Sequence, residues 1–406
     1  MGGGRLQLVA TGVQNEYLTG NPQFSFFQKV YRHHTNFAIE YFPQLFTNPT
    51  DINNQLTTII SRNGDLLSKM YLVLEIDKDD ESVPNMLNNS ILTIIEYISI
   101  EIGGQEIDRH TGEWLYIWFY LTLSSDEYSL LRNCLLNPFN NIDRKVFIPL
   151  QFWFCRMSGM ALPLCALQYH KVKINLKFKD NLNGYVLANG TGNPVLWCDY
   201  IFLDSVERKF FAQKSHEYLI DQLQSSHNSI ENKCGIEMQT RVQLPFHHPV
   251  KELIWVLKNT NDKSQLENFW NLNATGVDQL ESAVLLLNKQ ELFKRKIATY
   301  FRNVQPYKNH TLGGSNIKYY VDKSNKVWEK KGVCIYLYSF ALKPEQHQPS
   351  GSCNFSRIKN VSLDITFKKV PTCSDDYMNF RHFSVYAINY NILKIDGGKG
   401  GLIYAN

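Results

Sequence analysis

Four short apolar segments from the first half of this chain return in the second half, in the same order and at nearly constant distance. Tyr71-Leu72-Val73-Leu74 is echoed by Leu253-Ile254-Trp255-Val256 at an offset of 182, and Gly104-Gln105-Glu106-Ile107 by Lys289-Gln290-Glu291-Leu292 at 185. Val146-Phe147-Ile148-Pro149-Leu150 matches Val333-Cys334-Ile335-Tyr336-Leu337 at 187. Val172-Lys173-Ile174-Asn175-Leu176-Lys177-Phe178 matches Val361-Ser362-Leu363-Asp364-Ile365-Thr366-Phe367 at 189. Any two amphipathic strands look alike, so one match says little. Four in order, with offsets drifting by only seven residues, indicate one all-β unit present twice. A two-fold repeat excludes a long solenoid or a complete propeller.

The repeated unit reads as strands. Val172, Ile174, Leu176 and Phe178 share one face, while Lys173, Asn175 and Lys177 share the other: one wall on a core, one in water. Ile98–Ile102 alternates and ends at Gly103-Gly104, a hairpin signal. Helical signals are few. Ser124 with Glu127 makes a capping box for a short helix near Asp126–Asn133, and Tyr218–Leu223 reads as another. Tyr17–Pro22 reads as an extended stretch ending in a turn. At 406 residues, 44% hydrophobic and 20% charged, each copy can bury its own core. The expected division is an arm over residues 1–25, a first β-domain over 26–212, a polar linker over 213–232, and a second β-domain with a tail over 233–406.

Several functions are disfavoured by what the chain lacks. The formal charge is +4, and Arg5 and Lys29 are the sole Lys or Arg residues among the first 30, so no basic arm is available to neutralise phosphates. Lys294-Arg295-Lys296 is read as a solvated strand or turn. The eight cysteines (Cys134, Cys155, Cys165, Cys198, Cys234, Cys334, Cys353 and Cys373) contain no CxxC pair and are expected as reduced, mostly buried thiols. The longest apolar run, Leu115–Leu123, is too short to span a bilayer, and the start has no secretory apolar segment. The protein is therefore expected to be soluble and to remain in the cell that makes it.

No catalytic, cofactor or metal residues are assigned. Adjacent strand residues face opposite ways, so neither His33-His34 nor His247-His248 should chelate one ion. Asp77–Glu81 lacks the glycine and distal glutamate of a calcium loop and is expected as a solvated hairpin loop. Gly397–Gly401 resembles a phosphate cradle superficially; no Ser or Thr follows Lys399, and a flexible tail is expected. His216-Glu217 opens like a zincin motif and fails at Ile220. Sequons stand at Asn88, Asn189, Asn273, Asn309, Asn354 and Asn360, expected to be unmodified by a secretory pathway. Asn181–Pro194 and Asn259–Asp278 are the expected outer protrusions.

The local strings resemble one family nearly end to end: the double jelly-roll major capsid proteins of nucleocytoplasmic large DNA viruses. They include Leu6-Gln7-Leu8-Val9-Ala10-Thr11-Gly12, Tyr31-Arg32-His33-His34-Thr35-Asn36-Phe37 and Ile102-Gly103-Gly104-Gln105-Glu106-Ile107-Asp108. Further on stand Leu162-Pro163-Leu164-Cys165-Ala166-Leu167-Gln168-Tyr169-His170, His347–Arg357 and Tyr386–Asn391. The resemblance implies an all-β fold of two tandem eight-stranded antiparallel jelly rolls with short helices in loops. It implies a non-enzymatic shell subunit that forms homotrimers with a pseudo-hexagonal outline. It further implies neighbouring capsomers, minor capsid and penton proteins as partners, an inner viral membrane nearby, no direct nucleic-acid contact, and assembly in the host cytoplasm. The competing reading is a carbohydrate-binding or cupin-like jelly roll, which would need a clustered His/Glu metal site or an aromatic groove inside one barrel.

Overall fold

The computed structural model describes all residues except 1–2, 11, 48–54, 76–89, 137–144, 180–192, 231–237, 260–279, 312–318, 322–326, 330–333, 369–380 and 405–406. Met1–Phe37 form a unit of their own. Within it lie two short helices, α1 (Gly3–Val9) and α2 (Val13–Thr19). Tyr17–Thr19, expected as extended, therefore closes a helix. The Gly20 amide donates to the Glu16 carbonyl and Asn21 takes the left-handed conformation that ends such a turn.

In Ala38–Asn406 the chain builds two barrels of matching strand order. The first uses β1 (Phe37–Leu45), β2 (Leu56–Ile59), β3 (Leu66–Glu75), β4 (Ile95–Ile102), β5 (Gln105–His110), β6 (Lys145–Pro149), β7 (Val172–Phe178) and β8 (Val195–Leu203). The second uses β9 (His216–Ile230), β10 (Met238–Gln243), β11 (Pro249–Asn259), β12 (Leu280–Leu287), β13 (Gln290–Glu291), β14 (Ile335–Ser339), β15 (Val361–Phe367) and β16 (Arg381–Asp396). Strands run β1-β8-β3-β6 and β2-β7-β4-β5 in the first barrel, and β9-β16-β11-β14 and β10-β15-β12-β13 in the second. Each strand in the first barrel has its counterpart eight strands later, which is a double jelly roll.

The repeat extends to the turns. Gly103 and Gly104 join β4 to β5 with φ of 61° and 90°; Asn288 and Lys289 join β12 to β13 with φ of 50° and 69°. Two consecutive residues at positive φ are what a tight hairpin needs to match strand twist. At Gly103 a side chain is also excluded by space, since a Cβ would lie 2.1 Å from the His170 ring.

In two of the four repeated segments the alignment read from sequence is one residue out of face. Leu72 pairs with Ile148 and both enter the first core; Trp255 pairs with Tyr336 and both enter the second. Tyr71 faces outward, whereas its sequence match Leu253 lies in the second core. A shift of one residue reverses every side chain on a strand. YLVLE and LIWVL are apolar on both faces, so alternation is absent and cannot set their register.

Three other expectations are corrected. The stretch taken as a linker, with its short helix at Tyr218–Leu223, is mostly strand β9, paired without interruption to β16 from His216–Ile395 to Ile230–Arg381. Fifteen residues of pairing override the local helical and polar signals. The actual crossover is α6 (Ser205–Gln213), N-capped by Asp204. The glycine-rich C-terminus is a hairpin rather than a flexible tail. Gly397 and Gly398 (φ 55° and 80°) turn β16 into β17 (Lys399–Leu402).

That hairpin belongs to the second barrel by sequence and packs on the first. Leu393 and Ile395 lie in the first core, and the Tyr169 amide donates to the Gly398 carbonyl at 2.9 Å. A Cβ on Gly398 would sit 2.7 Å from the Tyr169 ring, at a φ that side chains rarely adopt. Gly398→Ala is expected to lose about 1–3 kcal/mol of stability, read as a lowered urea midpoint with unchanged m.

Candidate assembly surfaces

The two barrels meet along a seam of buried side chains that is separate from either core. At its centre is α3 (Gly112–Thr122), which follows β5 and is N-capped by Thr111, whose hydroxyl accepts from the Trp114 amide. The capping box expected at Ser124 and Glu127 opens α4 (Ser125–Leu130) just beyond it. Leu115 and Phe119 point into the first core; Trp114, Ile117, Trp118 and Leu121 point the other way, onto the second barrel. There they meet Ile254, Val256, Ile335, Leu337, Tyr386 and Ile388, all from the outer side of the β16-β11-β14 sheet. A helix apolar on both sides is one buried on both sides. Leu115–Leu123 drew notice in the sequence only as a run too short for a membrane span; that same all-round hydrophobicity was the available signal for this wedge.

Charged groups flank the apolar seam. Lys251 is fully buried, with its ammonium 2.7 Å from the Asp221 carboxylate. Arg156, on α5 (Trp153–Arg156) of the first barrel, reaches the same Asp221 oxygen at 3.2 Å and lies 4.2 Å above the Trp118 ring. Asp108 on β5 accepts from the Leu223 amide of β9 at 3.0 Å and pairs with His110 at 2.9 Å. The Gln222 side-chain amide donates to the Ile107 carbonyl. The two barrels are thus joined by packed side chains and by hydrogen bonds that neither barrel could make alone.

A second buried cluster pins the segment after β13. Tyr300–Val304 forms a π-helical turn that leads into α7 (Gln305–Asn309). Next comes His310, whose ring nitrogens meet Glu252 at 2.9 Å and Glu345 at 3.0 Å. Burial alone would lower the His310 pKa, but the two carboxylates outweigh it and raise it to about 9. Hydrogen bonds from His310 and Thr311 hold Glu345 below the usual carboxylate range, against the upward push of burial.

The tempting chemical motifs do not converge. His248 is turned into a left-handed conformation, and its amide donates to the Ser356 hydroxyl. Among the described residues, no three His, Cys, Asp or Glu side chains are placed to hold a metal. Both nitrogens of His310 are spent on carboxylates. Cys134, Cys155, Cys165, Cys198, Cys334 and Cys353 are thiols; burial pushes Cys155 up to about 12 and Cys198 further. Such thiols are poor nucleophiles. Asp77–Glu81, residues 181–192, residues 260–278 and sequons Asn88, Asn189 and Asn273 lie outside the described residues. Among those described, no helix is long and apolar enough to cross a membrane.

Two family models divide the chain almost where the barrels do. Residues 25–204 match the major capsid protein N-terminus, and residues 207–401 match the large eukaryotic DNA virus major capsid protein. This chain belongs to that family. It is 41% identical to the major capsid protein of Pyramimonas orientalis virus and 35% identical to that of Paramecium bursaria Chlorella virus 1, each over the full length of both chains. Among solved structures, PBCV-1 VP54 superposes with a TM-score of 0.78 at 32% identity, covering 94% of this chain and all of that one. The Faustovirus major capsid protein, at 13% identity and a TM-score of 0.67, shares the fold. The protein is a major capsid protein of the nucleocytoplasmic large DNA viruses, a component of the virion's icosahedral capsid. The cupin-like reading is not favoured.

Proposed function

We propose that this capsid protein acts as a trimer of double barrels, a non-enzymatic building block whose six similar units give a pseudo-hexagonal outline. The observation that carries the reading is the matching strand order of the two barrels, fused by one apolar seam. A flat shell facet is a hexagonal array. A three-fold oligomer tiles it well when its perimeter is nearly six-fold, and two like barrels per chain supply that perimeter. Contacts within the trimer are obligate, on the order of 2,000–5,000 Å². Lateral contacts between capsomers are individually weak and act together through multivalency.

The proposed division is an arm followed by two jelly rolls; the separate unit Met1–Phe37 supports the arm, and the helical crossover α6 between β8 and β9 supports a boundary between the barrels. The arm reaches minor capsid proteins or a neighbouring chain, and its low charge suits protein better than phosphate. Assembly takes place in the host cytoplasm, around an inner viral membrane, with penton proteins completing the vertices and the genome held by other proteins. The purified chain is expected to run at three times 47.1 kDa in size-exclusion chromatography with light scattering, and to image as a hexagon with three-fold symmetry. A stable, monodisperse monomer at micromolar concentration would count decisively against it.

A further inference from the structure

A cavity of about 260 Å³ opens at the end of the first barrel where β2 finishes and β7 begins. Its floor is apolar: Ile60, Leu164, Leu167 and Val172 are all buried. Its wall carries three basic side chains, Arg62, His170 and Lys171. Among the described residues, no Asp or Glu lines it. Positive groups gathered round a recess without a carboxylate repel one another and attract an anion. The space is several times the share of one water in the liquid, roughly 30 Å³, so it admits an oxyanion together with bridging waters.

The walls are fixed by the fold. The Ser61 amide and hydroxyl both donate to the Gln44 side-chain oxygen, at 3.3 and 2.8 Å, and the Tyr200 hydroxyl donates to the Ser61 carbonyl at 2.8 Å. Those bonds set the backbone from which Arg62 projects. On the other wall, the Cys165 amide donates to the Asp65 carbonyl at 3.1 Å. Arg62 ties the two walls together, with Nη2 donating to the carbonyls of Leu167 and Gln168. One nitrogen is thereby spent on the backbone. Among the described residues Nε and Nη1 have no hydrogen-bond partner, and neither Arg62 nor Lys171 pairs with a carboxylate. His170 is held in the same fashion. Its Nδ1 lies 2.9 Å from the Gly400 carbonyl oxygen and 3.2 Å from the Gly400 amide nitrogen, while Nε2 has no partner among the described residues.

We propose that this cavity binds a phosphate group, held by Arg62, Lys171 and His170 Nε2. Arg62 is the anchor, because its planar guanidinium is already immobilised and always charged. Free phosphate and the monoester headgroup of phosphatidic acid present the same chemistry, and the experiment separates these two sources. The glycine-rich hairpin at Gly397–Gly401 does not cradle the anion; it braces the wall from behind, with Gly398 packed on Tyr169 and Gly400 bonded to His170. The site lies within one chain and is independent of the trimer reading.

Isothermal titration calorimetry with inorganic phosphate at fixed ionic strength is run on wild type, Lys171→Ala, Gln168→Glu and Arg62→Gln. Wild type is expected to take up one phosphate per chain. Lys171 is exposed, and Lys171→Ala should weaken binding about tenfold, the equivalent of one lost hydrogen bond to a charged group. Gln168→Glu adds a carboxylate to the cavity and should weaken it at least as much, and Arg62→Gln should abolish it. Circular dichroism verifies folding; an unfolded Arg62→Gln leaves the other two variants to decide. Cosedimentation with phosphatidylcholine vesicles containing phosphatidic acid, against phosphatidylglycerol of equal charge, identifies the source. Capture by phosphatidic acid that Lys171→Ala weakens means that the group arrives on a lipid, and calorimetric binding without capture means that it is free; both outcomes support the site. No heat with phosphate, equal heat with acetate, or binding that both Lys171→Ala and Gln168→Glu leave unchanged would overturn it, reducing Arg62 to a tie between loops.

Discussion

Replacing Trp114 by Ala is expected to destabilise the protein by about 3–5 kcal/mol and to uncouple the two barrels. Trp114 is 1% exposed, with ring centroids 5.6 Å from Trp118 and 5.5 Å from Tyr386. It therefore fills space between the first barrel's helix and the second barrel's sheet, and its removal empties the seam without entering either core. A core substitution would weaken one barrel. A seam substitution weakens the term that makes the two melt together, so calorimetry should resolve the single wild-type transition into two. Trp114→Ala with one undivided transition at the wild-type temperature would refute the role given to α3. Trp255→Ala serves as the contrast: it lies in the second core against Phe301 at 5.1 Å and, with the seam intact, should lower the single transition without dividing it.

His310→Ala is expected to cost a comparable 3–5 kcal/mol, roughly, because it leaves the fully buried Glu252 carboxylate without its counter-charge. It also predicts a pH dependence. The folded-state pKa of His310 is raised to about 9 from the ordinary 6.5. The pair therefore stabilises fully below about pH 6.5, and the contribution falls away as pH rises through about 9. The amount at stake is on the order of 3 kcal/mol. Melting temperatures measured from pH 6 to 10 should fall for wild type and change less for His310→Ala. Parallel curves would show that the imidazole is neutral in the fold. Because Glu252 is on β11 and Glu345 lies beyond β14, the same substitution should loosen the segment from Tyr300 to Asn309, visible as faster amide exchange there.

The strongly alternating strands were legible. β7 and β15, with Val172 and Val361 at their heads, turn into their cores the apolar faces that their sequences mark. The polar faces do not lie in water as expected: Asn175 is buried on β7, and Ser362, Asp364 and Thr366 are buried on β15, where Arg241 and Arg295 reach Asp364. The hairpin at Gly103-Gly104 and the capping box at Ser124 were legible too, because each depends on chemistry within four residues. The apolar strands β3, β11, β6 and β14 were not, for their faces are set by what packs on the far side. The seam was missed for the same reason. Asp221 finds Lys251 and Arg156, and Asp108 finds the Leu223 amide, across 30 to 115 residues of sequence. No local pattern marks such partners in advance.

By itself, then, the sequence determined that one β-unit occurs twice, and its longer strings of residues resembled one family. The repeat is a property of spacing, carried in both copies, while the order of strands in the sheets came from the structure. Tertiary structure alone decided that His216–Ile230 is a strand and that the glycine-rich end is a hairpin seated on the first barrel. It decided as well that one of two equivalent sheet faces is covered while the other stays open. Duplication makes the two faces alike in origin; a single chain has its α3 wedge on one of them, and packing breaks the equivalence that the repeat alone would leave intact.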